Sequence, residues 1–217
     1  MYEATIIIPT KNEEKTIGKV INDIRKLRKN YEIIVIDKST DLTPVICKKL
    51  GVKVIKQRTL GKGNAMKMGV NFAKSDIIVF IDGDGTYPVY EIPKMIKIIK
   101  SKNIDLVRAC RLKKWKQRNL INLFMNKILS IMASILYLPT SDLLTGMYSI
   151  KKNCFKSLNL KSGGFEIETE LFVKAVKRSL NIREIQIEYL NRIGKTKFRK
   201  ISDTLKIIMI LLCNIWK

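Results

Sequence analysis

Histidine is absent from the 217 residues, and this one omission removes Ser-His-Asp and Cys-His hydrolases, histidine-ligated zinc and histidine general bases together. Catalysis by such a chain falls to carboxylates, to Lys or Arg, or to a metal held by oxygen. Cysteine is scarce: Cys47, Cys110, Cys154 and Cys213 lie far apart with no CxxC pair. Neither a zinc knuckle nor a disulfide framework is indicated, and a reducing cytoplasm is the expected compartment. No run of 18 apolar residues occurs, and the strand-like Ala4–Pro9 stands where a basic and then apolar leader would be, so neither a clean membrane span nor a signal peptide is expected. Acidic residues are also few, 19 against 42 Lys and Arg, for a net charge of +23. A field of this sign implies a polyanionic partner: nucleic acid, or an anionic membrane surface and phosphate-bearing ligands. Aromatic residues make up only 7%, with neither an RNP string nor a helix-turn-helix spacing, which argues against nucleic acid.

What is present is enough apolar material, 46%, to exclude a disordered basic tail and to fill the core of one α/β domain. Short β-branched runs alternate with helical patterns, the βαβ signature of a mostly parallel sheet flanked by helices. Strands are predicted at Ala4–Pro9, Glu32–Asp37, Val52–Lys56, Ile77–Asp82 and Ile104–Arg108, with a later one at Ile182–Leu190. Between the first two, Ile17, Val20, Ile21, Ile24 and Leu27 recur at helical spacing; further helices are predicted at Thr43–Leu50, Lys62–Lys74, Ile92–Lys100 and Phe165–Leu180. The segment Leu120–Leu138 is almost wholly apolar, but Asn122, Asn126, Ser130 and Ser134 fall every fourth residue and form a narrow polar stripe on a helix. Two readings stand open: a helix buried in the core, or one lying in a membrane interface with its polar stripe in water. Leu205–Trp216, too short to span a bilayer, would suit an interfacial anchor.

The strongest local signal is Ile77–Thr86, an apolar run that delivers Asp82 and Asp84 at its carboxyl end. Ligands of open α/β sheets bind at that edge. Two carboxylates across a Gly can both reach one hard cation, and Mg²⁺ or Mn²⁺ so held would complete its shell with phosphate oxygens and water. An Asp-Gly turn without function is the plain alternative. The string also looks like the nucleophile motif of haloacid-dehalogenase-type phosphohydrolases, but those enzymes need a later acidic pair, and beyond Asp105 the only Asp residues are Asp142 and Asp203. Other strand ends converge on the same edge: Pro9-Thr10-Lys11-Asn12-Glu13-Glu14 after the first, Asp37–Asp41 after the second, and Gly61-Lys62-Gly63-Asn64 opening a helix whose N-terminus would attract phosphate.

In order, Pro9–Glu14, Asp37 with Ser39-Thr40-Asp41, Gly61–Ala65, Asp82-Gly83-Asp84, Asp142-x-x-Thr145-Gly146 and Arg192-x-Gly-x-Thr-Lys197 resemble the family 2 glycosyltransferases, and most of all the dolichyl-phosphate (polyprenyl-phosphate) sugar synthases. The resemblance covers residues 3–200. It implies a GT-A fold over residues 1–200, with a nucleotide-sugar half (1–110) and an acceptor half (111–200), followed by a membrane-associating helix (201–217). It further implies that Pro9, Asn12, Glu13, Asp37 and Lys62 bind the donor, and that Asp82 and Asp84 hold Mg²⁺ or Mn²⁺ at the donor diphosphate. Arg111, Arg118, Arg192 and Lys197 would hold phosphate groups, for which the planar fork of Arg is suited. Lys38 stands where the family has Asp or Gly, leaving a UDP-sugar or a GDP-sugar open.

The reaction so implied is inverting sugar transfer to a dolichyl or polyprenyl phosphate at the cytoplasmic face of an anionic membrane. Such an acceptor is mostly dianionic at neutral pH, so a chain without His needs no strong base. A hydroxyl acceptor would need one, with Asp142 first and Glu166 or Glu168 behind it.

Overall fold

In a computed structural model, which describes residues 1–101, 103–111, 120–193, 197–198 and 200–215, the β-branched runs form one seven-stranded sheet. Its strands are β1 (Ala4–Thr10), β2 (Tyr31–Asp37), β3 (Lys53–Lys56), β4 (Ile77–Phe80), β5 (Leu106–Arg111), β6 (Tyr148–Lys151) and β7 (Ile182–Ile187), in the order β3-β2-β1-β4-β6-β5-β7. β1 pairs in parallel with both β2 and β4. The chain therefore leaves β1 toward one side and returns at β4 on the other, and the crevice between such strands is where open α/β sheets bind ligands.

Both faces are covered, which is why the strands read as nearly continuous Ile and Val rather than alternating with polar residues. On one face Ile6 and Ile8 of β1, Val35 of β2 and Val79 of β4 meet α1 (Ile17–Lys26), α2 (Thr43–Lys49) and α4 (Ile92–Lys100). On the other, Ile7, Ile34, Ile36, Ile78 and Phe80 meet α3 (Lys62–Phe72), α6 (Lys152–Ser157) and α7 (Ile167–Lys177). A third cluster joins α7 to α5 (Leu120–Leu136) and α8 (Lys200–Cys213) through Leu129, Ala133, Phe172, Val173, Ile207 and Leu211. Burying each of the Leu, Ile, Val and Phe side chains contributes about 1.5–3 kcal/mol, so α8 is a packed layer of the same body.

Several boundaries differ from those predicted. β4 ends at Phe80, two residues before Asp82, because the Asp-Gly repeat turns away from the sheet. β5 runs later than expected and carries Arg111 at its end. β7 stops at Ile187, and α8 begins at Lys200 rather than Leu205. The strand β6 was not anticipated: it is four residues long and runs antiparallel between β4 and β5, and a segment that short shows no readable period.

Candidate active site

The carboxyl ends of β1 and β4 supply the acidic floor of a cavity of about 1300 Å³. Past β4 the chain turns at Gly85 (φ 73°), and Asp84 is held by its own turn: Oδ1 accepts from the Thr86 amide (3.0 Å) and hydroxyl (2.6 Å). Its other oxygen lies 2.7 Å from Arg192 Nη2. Asp82 Oδ1 lies 2.6 Å from Lys62 Nζ, which is also 2.6 Å from Glu168 Oε1. Burial lowers the Lys62 pKa, but Asp82 and Glu168 more than offset this, so it stands well above its ordinary value and the ammonium is charged. Burial also raises the Glu168 carboxyl, and Lys62 compensates only in part.

Two glycines make this closeness possible. Gly61 precedes Lys62 at φ 127°, where a Cβ would strike the Gly163 carbonyl, so the N-terminus of α3 sits directly on the loop before α7. At Gly146 a Cβ would overlap Asp82 Oδ2 and come within 3.0 Å of Lys62 Nζ.

One wall is built on a buried ion pair. Asp142 accepts from Arg111 Nε and Nη2 (both 2.6 Å), from the Arg111 amide (3.0 Å) and from Asn126 Nδ2 (2.8 Å). Burial would raise its pKa, but Arg111 and these hydrogen bonds outweigh that and hold it at about 2. A carboxylate so saturated and so acidic is a poor proton acceptor, which counts against Asp142 as the base of a hydroxyl acceptor. Its loop is braced from behind by Arg108, only 2% exposed, which donates to the Asp142 and Leu143 carbonyls (2.7 and 3.1 Å) and to Glu184 (2.7 Å).

At the mouth, Lys197 pairs with Glu13 across 184 residues of sequence. Burial raises the Glu13 pKa and Lys197 draws it part of the way back. Arg192 sits beside the Tyr189 hydroxyl (3.4 Å). On the far wall Glu166 Oε1 accepts from the Gly164 amide (3.0 Å), while Oε2 is buried with no partner among the described residues.

Of the residues predicted for the site, Pro9, Glu13, Lys62, Asp82 and Asp84 line the cavity, as do Arg111, Arg192 and Lys197. Three do not. Asp37 is buried behind the wall, accepting from Thr10 Oγ1 (2.7 Å) and Ser39 Oγ (2.6 Å). Asn12 ties its loop to the Thr40 amide (2.9 Å), and Asp142 stands behind Arg111. Arg118 lies outside the described residues. Tyr87, Gln57 and Tyr189 also line the cavity and were not anticipated; single side chains brought in from separate loops leave no pattern in the sequence.

Asp82 and Asp84 suit a hard divalent cation. Among the described residues no cluster of three or more His, Cys, Asp or Glu side chains is placed to enclose a metal, so the protein offers two carboxylates and the remaining ligands would be diphosphate oxygens and water, as Mg²⁺ and Mn²⁺ accept. The space left by the missing Gly146 side chain lies against Asp82 Oδ2.

The cavity opens onto α5 and α8, and α5 is apolar on two sides, one of them, with Leu129 and Ala133, buried in the third cluster. Its polar stripe serves the loop after it: Asn126 Oδ1 accepts from the Leu144 amide (3.3 Å), Ser130 Oγ from Leu143 (3.0 Å) and Ser134 Oγ from Thr140 (3.0 Å). Of the two readings left open, neither holds whole: Asn126, Ser130 and Ser134 turn inward rather than to water, while Phe124, Ile128, Ile131 and Ile135 are outside. Ile201, Leu205, Met209 and Leu212 form a second exposed row on α8. Met125 of α5 and Ile201 and Leu205 of α8 line the cavity mouth, while the opposite ends of the two helices meet where the Tyr137 hydroxyl donates to the Leu211 carbonyl (2.6 Å). The exposed rows thus lead away from the cavity together. Among the described residues no helix is long and apolar enough to cross a membrane.

The fold is similar to that of solved proteins. Over 99% of the chain the fold matches glucosyl-3-phosphoglycerate synthase of Mycobacterium tuberculosis, crystallised with Mn²⁺, UDP and glucosyl-3-phosphoglycerate, with a TM-score of 0.82, 22% identity and 80% of that chain covered. In sequence, the chain is 30% identical over 198 residues to the dolichyl-phosphate hexose transferase of Haloferax volcanii, covering 90% of this chain and 86% of that one. It is also 30% identical over 190 residues to the dolichol-phosphate mannosyltransferase of Pyrococcus furiosus, covering 79% of this chain but only 53% of that longer protein. Residues 5–156 match the model of glycosyl transferase family 2, and the chain, a GT-A glycosyltransferase by fold and sequence, belongs to that family.

Proposed function

We propose that the chain transfers a sugar from a UDP- or GDP-sugar to a dolichyl or polyprenyl phosphate, working from the cytoplasmic surface of a membrane. The observation that carries this reading is a cavity with two carboxylates at its floor and Lys62, Arg111, Arg192 and Lys197 on its walls that opens onto two exposed apolar helix rows. A phosphate headgroup would find cations inside, and an isoprenoid chain apolar surface at the mouth. The free thiols of Cys47, Cys110, Cys154 and Cys213 suit a reducing compartment.

A phosphate oxygen of the acceptor attacks C1 of the sugar, the C1–O bond to the diphosphate breaks, and the nucleoside diphosphate leaves. Mg²⁺ or Mn²⁺ at Asp82 and Asp84 would supply Lewis-acid neutralisation of the departing diphosphate. Arg192 and Lys62 face the same developing charge from the protein side and need no reorganisation of solvent. Arg111, fixed by Asp142, presents its guanidinium to the acceptor phosphate. That phosphate is already mostly dianionic, so no side chain has to take a proton.

A hydroxyl acceptor is the second reading, and Glu166 Oε2, at the cavity wall and without a partner among the described residues, favours it. Radiolabelled UDP- and GDP-hexoses, including N-acetylhexosamines, supplied with Mn²⁺ and either a polyprenyl phosphate or soluble hydroxyl acceptors would decide. The expected outcome is label in the organic phase, carried on the polyprenyl phosphate and retained in Glu166→Gln. Transfer to a hydroxyl acceptor alone, abolished by Glu166→Gln, would overturn the lipid reading.

A further inference from the structure

Both carboxylates placed to meet a divalent cation are already neutralised by the protein. Lys62 Nζ lies 2.6 Å from Asp82 and Arg192 Nη2 lies 2.7 Å from Asp84. Each pair has one buried member and one part-exposed: the side chains of Lys62 and Asp84 are 9% and 6% exposed, those of Asp82 and Arg192 23% and 29%. A divalent cation arriving alone must displace an ammonium or a guanidinium. A diphosphate arriving alone must draw the same cations away and strand a buried carboxylate, which is costly. Arriving together, they let the partners change places: the metal takes the carboxylates, phosphate oxygens take Lys62 and Arg192, and every charge keeps a counter-charge.

We propose that Lys62 and Arg192 serve as internal counter-ions of the donor site when it holds no ligand, and that their exchange makes the metal and the nucleoside diphosphate bind with positive cooperativity. This rests on the nucleotide-sugar reading above. The two cations are not equivalent. Lys62 keeps a second carboxylate, Glu168 at 2.6 Å, when Asp82 is taken, so it stays in place. Arg192 is more exposed, 29% against 9% for Lys62, and among the described residues its next hydrogen-bonding contact is the Tyr189 hydroxyl at 3.4 Å, with Asp82 and Glu13 acting on it only through space, so Arg192 is the group that moves and carries most of the coupling. By linkage, the factor by which the metal strengthens nucleotide binding equals the factor by which the nucleotide strengthens metal binding.

Calorimetric titration of Mn²⁺, UDP and GDP, each alone and each in the presence of its partner, tests this without turnover. In the wild type each ligand should tighten the other by a factor in the range of about 5–150. In Arg192→Gln, Mn²⁺ alone should bind more tightly than to the wild type, by about fivefold or more, while the nucleotide binds more weakly and the coupling factor falls toward one. Arg192→Lys should keep part of the coupling. Lys19→Gln, which removes the same charge from the exposed Lys19–Asp23 pair of α1, should change none of these constants. Mn²⁺ binding to Arg192→Gln that is unchanged or weaker, with coupling intact, overturns the proposal, as does an equal gain in Lys19→Gln. If the wild type binds neither UDP nor GDP in the presence of Mn²⁺, the nucleotide-sugar reading fails and this inference with it; nucleotide binding without coupling sinks the inference alone.

Discussion

Gly146 is where a single methyl group would reach the chemistry. Its Cβ would occupy the space of Asp82 Oδ2, so Gly146→Ala should both overpack the loop, at a cost of about 1–3 kcal/mol, and displace one of the two floor carboxylates. A thermal melt lowered by several degrees, together with loss of Mn²⁺-dependent nucleotide binding in titration, is the expected pair of results. Asp142 gives a test in pH. Its folded-state pKa, about 2, lies below its ordinary value of 3.8, so the carboxylate contributes stability that is complete above about pH 4 and is lost as the pH falls through 2, on the order of 2 kcal/mol in all. The gap in unfolding free energy between the wild type and Asp142→Asn should therefore narrow steadily from pH 4 to pH 2 in denaturant titrations. Asp82 and Asp84 were legible in the sequence because an apolar strand followed by Asp-Gly-Asp brings both to one edge. The partnership of Asp142 with Arg111 was not, since the two stand 31 residues apart and nothing in either motif names the other. The partners of Asp37 were hidden for a related reason: it stands at a strand end as expected, and Thr10 and Ser39, from separate segments, donate to its carboxylate.

At the level of elements, the period of α5 was readable and its direction was not. A polar stripe every fourth residue looks like a solvent face, yet the amides of Thr140, Leu143 and Leu144 need acceptors and take Ser134, Ser130 and Asn126. An unsatisfied buried amide costs about 1–3 kcal/mol, enough for three of them to decide which side of the helix turns inward. An apolar row is then left outside, opposite the buried Leu129 and Ala133, with Ile135 78%, Phe124 63% and Met209 of α8 62% exposed. Replacing Phe124, Ile135 and Met209 together by Ser should leave the melting temperature close to that of the wild type, because little packing is lost, while abolishing flotation with anionic liposomes at high salt, where charge attraction is screened. Loss of fold instead of flotation would show that these side chains belong to an interior. The parallel strands were legible because β-branched runs buried on both faces have no competing pattern, whereas β6 offers only four residues to read.

For the molecule as a whole, the charge of +23 adds a component to the proposed membrane attachment that the apolar rows do not. Each Lys or Arg held near an anionic leaflet is worth about 1 kcal/mol, and this part is screened by salt. Flotation of the wild type should accordingly weaken, but not vanish, between low and high salt. The order of strands has a different consequence. β5 lies between β6 and β7, so both of its neighbours are encoded after it, and β4 likewise waits for β6 to cover its outer edge. While the chain is being made on a ribosome, the Ile-rich β4 and the freshly emerged β5 stand with open edges until residue 187 has cleared the exit tunnel, a delay on the order of ten seconds at ordinary synthesis rates. Open edges of this kind template association between chains. The nascent protein is thus most exposed to aggregation in the middle of its own synthesis, and a slower passage through the codons for 112–147 would lengthen that interval.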